Sequence, residues 1–310
     1  MALEARYREQ VRLLIALLPF VDAEPCFALK GGTAINFFVQ PLPRLSVDID
    51  LVFLPLLPRD EALQQSAAAL QRMSLAMTER LPGTEVDFRH QRPDELRVLV
   101  RRGGVQVKLE VSPVLRGTLH PPQRRDVVDA VEQAFGFATV PVVSLPDLYG
   151  GKLCAALDRQ HPRDLFDVAL LLEEDGLNRG LFEGFMVYLL SHPRPMHEVL
   201  SPRWKPLDQV YSAEFAGMTT IEMPLARLDA VRRELPGRLG ALLSSDDVRF
   251  LLSFKRGGPD WSLFPVPGID RLPAVQWKLA NIRKMQADKH RQSVALLEQS
   301  LDALLHRKPM

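Results

Sequence analysis

Two carboxylates stand two positions apart in residues 46–54, SVDIDLVFL, a segment that alternates polar and apolar residues before turning wholly apolar. That pattern predicts a strand. Side chains on a strand alternate faces, so Asp48 and Asp50 project from one face and Ile49 and Leu51 from the other. Neighbouring carboxylates repel unless a positive charge lies between them. A hard divalent cation meets that need, because Mg²⁺ takes oxygen ligands and is typically held by one or two carboxylates together with substrate phosphates. Upstream, Lys30-Gly31-Gly32-Thr33 leads into the helical pattern AINFFV. Glycines let the backbone come close to a phosphate, and the N–H groups of a helix start can face it. In residues 104–112, GVQVKLEVS, the valines and Leu109 share one face while Gln106, Lys108 and Glu110 share the other. If this strand pairs beside 46–52, Glu110 joins Asp48 and Asp50. Three carboxylates on adjacent strands are what a two-metal phosphoryl or nucleotidyl transfer site needs. The same residues also suit a solvated strand edge after an ordinary Gly-Gly turn, and spacing alone leaves both readings open.

A second constellation lies at 146–172, PDLYGGKLCAALDRQHPRDLFDVALLL. Lys152 and Arg159 are seven apart and share a helix face. Asp164 and Asp167 are three apart on the next helix, Arg163 to Asp167 is an i,i+4 pair, and Pro162 suits the first helical position. Two surface helices joined by a capped turn would account for this pattern as well as a site would.

The elements that must position these residues are legible in outline. Helical periodicity predicts helices over 3–18, 33–39 (with Thr33 as the cap) and 59–80. Strands are predicted at 26–29, 46–54, 84–90, 95–101, 104–112 and 139–144, with Gly103-Gly104 as a hairpin turn and 125–135 as mixed turn and helix. Helices then dominate: 146–158, 162–175, 180–191, 224–235, 272–288 and 290–305. Prolines cluster at 193–206 and 259–273, which marks loops. The fold class is α+β (mixed α/β): an N-terminal lobe with a small mixed sheet over 1–145, then a mainly helical lobe over 146–310.

The chain has 310 residues, 46% of them hydrophobic and 25% charged, which excludes bulk disorder and collagen-like or disulfide-rich scaffolds. No apolar run approaches a membrane span, so no membrane partner is expected, and the N-terminal residues carry no signal-peptide core. Cys26 and Cys154 form no metal-spacing motif and fit a reducing cytoplasm. The net charge of +1 argues against a broadly basic surface, but the charge is uneven. Residues 89–125 hold nine Lys/Arg against three Asp/Glu, and residues 271–310 hold eight against three.

KGGTAINFF…RLSVDIDLVF closely resembles the opening of the AbiEii/AbiGii toxin family of nucleotidyltransferases, within the DNA polymerase β-like superfamily. The pattern of a GG-T-A segment followed by R-x-S-x-D-x-D is present at Gly31, Gly32, Thr33, Arg44, Ser46, Asp48 and Asp50. A helical lysine followed by an R-D-x-x-D helix is matched by Lys152 and Arg163-Asp164-x-x-Asp167, and Pro273 to Asn281 resembles the closing segment. The resemblance implies a nucleotidyltransferase-like catalytic lobe completed by the helical lobe. It implies that Asp48 and Asp50, with Glu110, hold Mg²⁺ (or Mn²⁺), and that Gly31, Gly32, Thr33, Arg44 and Ser46 cradle the phosphates of an NTP. Lys152 would contact the triphosphate, and Asp164 and Asp167 would position it or assist proton transfer, with Asp164 ranked first. The acceptor it implies is the 3′ end of tRNA, and a cognate antitoxin would act in trans in a phage-defence setting. Lys278, Arg283, Lys284, Lys289 and Arg291 would form a face tracking RNA phosphates, and Trp277 is expected in the core. Alternatives that keep the same residues are nucleotidylation of a protein, a kinase-like phosphotransfer, and an inactive binding module. Residues 193–260 carry nothing recognisable.

Overall fold

The computed structural model describes residues 5–89, 94–174 and 176–306, so the ends of three expected elements, at 3–4, 90 and 175, lie outside the described residues. These residues fall into two compact units: Met1–Ser144 with Gly217–Glu222, and Leu145–Ala216 with Met223–Met310.

The first unit runs α1 (Ala5–Asp22), β1 (Phe27–Lys30), α2 (Gly31–Phe38), β2 (Asp48–Phe53), α3 (Arg59–Arg80), β3 (Glu85–Arg89), β4 (Arg97–Arg102), β5 (Val105–Arg116), β6 (Gln123–Asp126), α4 (Asp129–Phe135) and β7 (Thr139–Val142). The strands form one mixed sheet in the order β3-β4-β5-β2-β1-β7-β6. β2 runs parallel to β5 and antiparallel to β1, and β1 runs parallel to β7. One face of the central strands is wholly apolar: Phe27, Leu29, Ile49, Leu51, Val107 and Leu109 are fully buried. α1 packs on β5 and β7, and α3 on β3 and β4. The β4–β5 hairpin turns at Gly103 and Gly104, with φ of +57° and +81°, the left-handed pair that a two-residue hairpin loop requires.

Three sequence expectations need correction here. α1 continues through Pro19 to Asp22. Pro19 is exposed in the last turn, and Val21 beyond it is fully buried and anchors that turn. Thr33 does not cap α2: Lys30 occupies that position without a side-chain cap, and Thr33 lies within the helix. Residues 217–222, inside the stretch without any motif, belong to the sheet unit. Thr219 bridges Arg44, Leu45 N–H donates to the Met218 carbonyl at 2.9 Å, and Thr220 N–H donates to the Pro43 carbonyl at 2.9 Å.

The second unit holds α5 (Leu145–Asp158), α6 (Pro162–Glu174), α7 (Arg179–Ser191), α8 (Met196–Leu200), α9 (Asp208–Glu214), α10 (Leu225–Gly240), α11 (Ser245–Lys255), α12 (Pro273–Arg283) and α13 (Ala287–Leu305). The helix expected over 272–288 is broken, because Gln286 is extended and starts a new helix. α11 was not expected, although Ser244 and Asp247 form the reciprocal capping box that marks its start. Along α5 and α7 the backbones meet at glycines. A Cβ on Gly184 would lie 2.1 Å from the Pro146 carbonyl oxygen, and one on Gly150 would lie 2.4 Å from the Gly184 carbonyl carbon.

Gly184→Ala is therefore expected to destabilise the protein by about 1–3 kcal/mol through overpacking. Gly180→Ala in the same helix meets only an ordinary 3.5 Å contact and is expected to be neutral or stabilising by about 0.4–1 kcal/mol. Urea unfolding midpoints of the two variants check this, and equal midpoints would contradict the close approach.

Candidate active site

β1 ends at Lys30 and the chain turns at once into α2, with Gly31 at φ +77°, a left-handed value that disfavours any side chain. A Cβ on Gly31 would lie 2.5 Å from Asp50 Oδ2. A Cβ on Gly32 would lie 2.7 Å from an Arg44 guanidinium nitrogen and 2.9 Å from Ser46 Oγ. The glycine pair is thus the backing against which the carboxylate strand and the segment before it are packed. Thr33 Oγ1 bonds Ser46 Oγ at 3.0 Å and the Asp48 carbonyl, while Arg44 Nη1 donates to the Leu45 carbonyl at 2.8 Å. Thr33 and Arg44 are buried, so their bonds to the chain itself make them supports of the approach to β2.

Asp48 and Asp50 share one half-buried face of β2, as their spacing predicts. The parallel register of β2 with β5 sets Asp48 opposite Lys108 and Asp50 opposite Glu110. On the flanks, Lys30 lies opposite Asp50 and Arg97 opposite Glu110. One row across the sheet therefore reads Lys30, Asp50, Glu110, Arg97, with Lys108 one row away beside Asp48. Glu110 is where the strand pattern expects it, but both its oxygens are engaged: Arg97 Nη2 donates to Oε1 at 3.1 Å, and Lys108 Nζ lies 2.8 Å from Oε2. Burial pulls against both charges. For Lys108 it is outweighed by Glu110, Asp48 and Asp50, which raise its pKa above the usual lysine value. For Glu110 it is outweighed by Lys108 and Arg97, which hold its pKa below the usual carboxylate value. Among the described residues no group of three His, Cys, Asp or Glu side chains is arranged to hold a metal ion. Two carboxylates do fit one: the donors are hard oxygens, and the missing Gly31 side chain leaves the space beside Asp50 Oδ2 unfilled. Mg²⁺ or Mn²⁺ in such a site takes its remaining ligands from water and substrate phosphate.

Lys152, on α5, is the centre of the second cluster. Its Nζ lies 2.9 Å from Asp164 Oδ1 and 3.0 Å from Asp167 Oδ2, both on α6. Arg159 also grips Asp164, with Nη2 donating to Oδ1 at 2.8 Å. Both aspartate side chains are fully buried. Burial alone would push the Asp164 carboxyl up, but the Lys152 charge and the Arg159 hydrogen bonds outweigh it and hold it well below the usual carboxylate range. The seven-residue spacing of Lys152 and Arg159 thus brings both onto one carboxylate. Arg163 lies 3.5 Å from Glu214, a partner that sequence spacing could not supply.

Arg283, Lys284, Lys289 and Arg291 are all exposed around the α12–α13 junction. Arg283 Nε donates to the Gly257 carbonyl at 2.8 Å, and Arg291 pairs with Asp288. Lys278 does not belong with them. It is buried, and its ammonium donates to the carbonyls of Leu189, His192 and Arg194 at 3.1, 2.7 and 2.8 Å, which satisfies the end of α7. Trp277, expected in the core, is exposed because the buried stripe of α12 runs through Ala274, Val275, Lys278 and Ile282.

Asp164→Asn leaves Lys152 and Arg159 facing a weaker partner, and breaking such a buried pair typically removes about 3–5 kcal/mol. Because the folded Asp164 titrates below its unfolded value, its contribution is present above about pH 4 and is lost as pH falls through the folded value. The variant's stability is therefore expected to fall less steeply than the native protein's as pH drops below about pH 4. Urea midpoints across that range check this, and parallel slopes would contradict it.

Comparisons with known proteins bear on both clusters together. The family model described as "Nucleotidyl transferase AbiEii toxin, Type IV TA system" matches residues 12–281, a span that includes the Gly-Gly turn, the carboxylate strand and the lysine–aspartate cluster. MenT4, a nucleotidyltransferase toxin from Mycobacterium tuberculosis H37Rv, is structurally similar, with a TM-score of 0.52 at 15% identity over 96% of this chain and 93% of that one. Terminal uridylyl transferase 4 from Trypanosoma brucei with bound dUTP matches at 13% identity over 96% of this chain and 92% of that one, with a TM-score of 0.29, too low to argue from. No curated protein sequence matches significantly. The mixed α/β fold is that of a nucleotidyltransferase toxin, and the match across most of the chain settles its kinship: the protein belongs to the AbiEii family of nucleotidyltransferase toxins of type IV toxin–antitoxin systems.

Proposed function

We propose that the protein transfers a nucleoside monophosphate from an NTP to the 3′ end of tRNA, blocking translation in a phage-defence setting, and that a cognate antitoxin restrains it in trans. The observation that carries the reading is the shared face of Asp48 and Asp50 beside the Gly31–Gly32 turn. In this reading Asp48 and Asp50 hold a divalent cation, Mg²⁺ or Mn²⁺, which when bound supplies positive charge to the triphosphate. The Gly31–Gly32 backbone and the Ser46 hydroxyl cradle phosphate oxygens. Lys152 is the phosphate-contacting lysine of this reading, and Asp164 and Asp167 keep its long side chain in one place. Thr33 and Arg44 act from behind by holding Ser46 and the start of β2. An acceptor hydroxyl forms the new bond to the α-phosphorus while the bond to pyrophosphate breaks, with one proton released overall. Catalysis of this kind is mostly positioning and charge stabilisation. Arg283, Lys284, Lys289 and Arg291 offer an exposed basic face for RNA phosphates, a grip that weakens with salt.

Incubation with total tRNA and an NTP labelled at the α or the γ position tests the reading. Label from the α position is expected on tRNA 3′ ends, and Asp48→Asn or Asp50→Asn is expected to reduce it by roughly 100-fold or more. Label from the γ position alone would mean a kinase-like phosphotransfer, and label on protein alone would mean a protein acceptor. Either result overturns the proposal.

A further inference from the structure

The sheet face that carries Asp48 and Asp50 is not a bare acidic nest. Lys108 stands opposite Asp48 across the parallel β2–β5 pair, and its ammonium lies 2.8 Å from Glu110 Oε2. Glu110 in turn stands opposite Asp50, and its other oxygen accepts from Arg97 at 3.1 Å. Directly opposed residues on paired strands bring their side chains within about 5 Å at Cβ. Lys108 is thus ion-paired to Glu110 and stands in register beside Asp48. A metal at Glu110 would have to compete with Arg97 at Oε1 or with Lys108 at Oε2. Those pairs are a third exposed, with side-chain exposures of 30–37%, and pairs so open to water add little to stability. Glu110 therefore places the lysine on the face without holding it there tightly.

We propose that Lys108 is a built-in counter-cation of the Asp48–Asp50 pair, held there by Glu110, and that it competes with divalent metal for the pair until an NTP brings the metal in. Lys108 is thus a positioning residue, and Glu110 serves it and does not ligate metal. This rests on the metal-dependent transfer proposed above. The consequence is a site that binds free metal weakly and metal with triphosphate well, because phosphate oxygens supply the ligands the protein withholds.

The test is Mn²⁺ binding to the full chain without nucleotide, read by electron paramagnetic resonance. Lys108→Met is expected to bind Mn²⁺ roughly tenfold or more tightly than the native protein, since a like charge has been removed from beside the ligands. Its metal-free melting temperature is expected to fall and to be restored by Mn²⁺. Lys108→Arg keeps the charge and is expected to bind as the native protein does. Adding Glu110→Gln to Lys108→Met removes a negative charge that Arg97 already balances and is expected to weaken the tightened value severalfold at most, whereas a loss of roughly 100-fold or more would show Glu110 to be a ligand and overturn the proposal. Equal affinity of Lys108→Met and native protein, with binding abolished in Asp48→Asn, would overturn the proposal and leave the metal reading intact. Binding that persists unchanged in Asp48→Asn would instead overturn the metal reading itself.

Discussion

Carboxylates two positions apart on one strand repel, and the architecture of the sheet unit is arranged around making that pair tolerable. Asp48 and Asp50 need a rigid strand to share a face, and β2 supplies it because Ile49 and Leu51 on its other face are fully buried. They need a backbone that can come close without filling the space between them, which is why the chain turns at Gly31 and Gly32. They need positive charge nearby, and the strands on either side provide Lys30 and Lys108 in register. Each requirement falls on a different element, yet all meet at the end of β1 and the start of β2.

The same logic orders the helical unit. A buried lysine is tolerated only when its ammonium is satisfied, by carbonyls at Lys278 and by ion pairs at Lys152. Lys152 is paired twice, by Asp164 and Asp167, and Arg159 balances the second negative charge. α5 also packs on α7, and the Gly150–Gly184 contact lets the two meet at backbone distance. A glycine pair stands beside each cluster, at 31–32 and at 150–151.

What could be read in the sequence followed period and spacing. The alternation in 46–54 and 104–112 put Asp48, Asp50 and Glu110 on their faces, and the sheet register brought Glu110 beside Asp50. Alternation could not say which cations would face them, because Lys30 and Arg97 arrive from strands whose register is a tertiary fact. Lys108 was visible on the same face as Glu110, two positions before it. Lys278 and Trp277 went the other way. In α12 the buried stripe takes a lysine because the end of α7 needs donors, and leaves a tryptophan outside. Residues 217–222 left no pattern, since these six residues return to the segment before β2 through backbone hydrogen bonds and the Thr220 hydroxyl, which no periodicity marks.

Composition was blind to both clusters for one reason. The sheet face sets Asp48, Asp50 and Glu110 among Lys30, Lys108 and Arg97, and the helical cluster sets Asp164 and Asp167 against Lys152 and Arg159. Each is close to neutral by itself, so neither moves the chain's net charge of +1. Neutrality here follows from desolvation: partly or wholly buried charges persist only with partners of opposite sign, whatever chemistry they go on to perform. A site built for phosphate need not appear as a basic protein, nor one built for metal as an acidic protein. It appears as opposite charges brought together by register and helix spacing, with glycines where the backbone must come close.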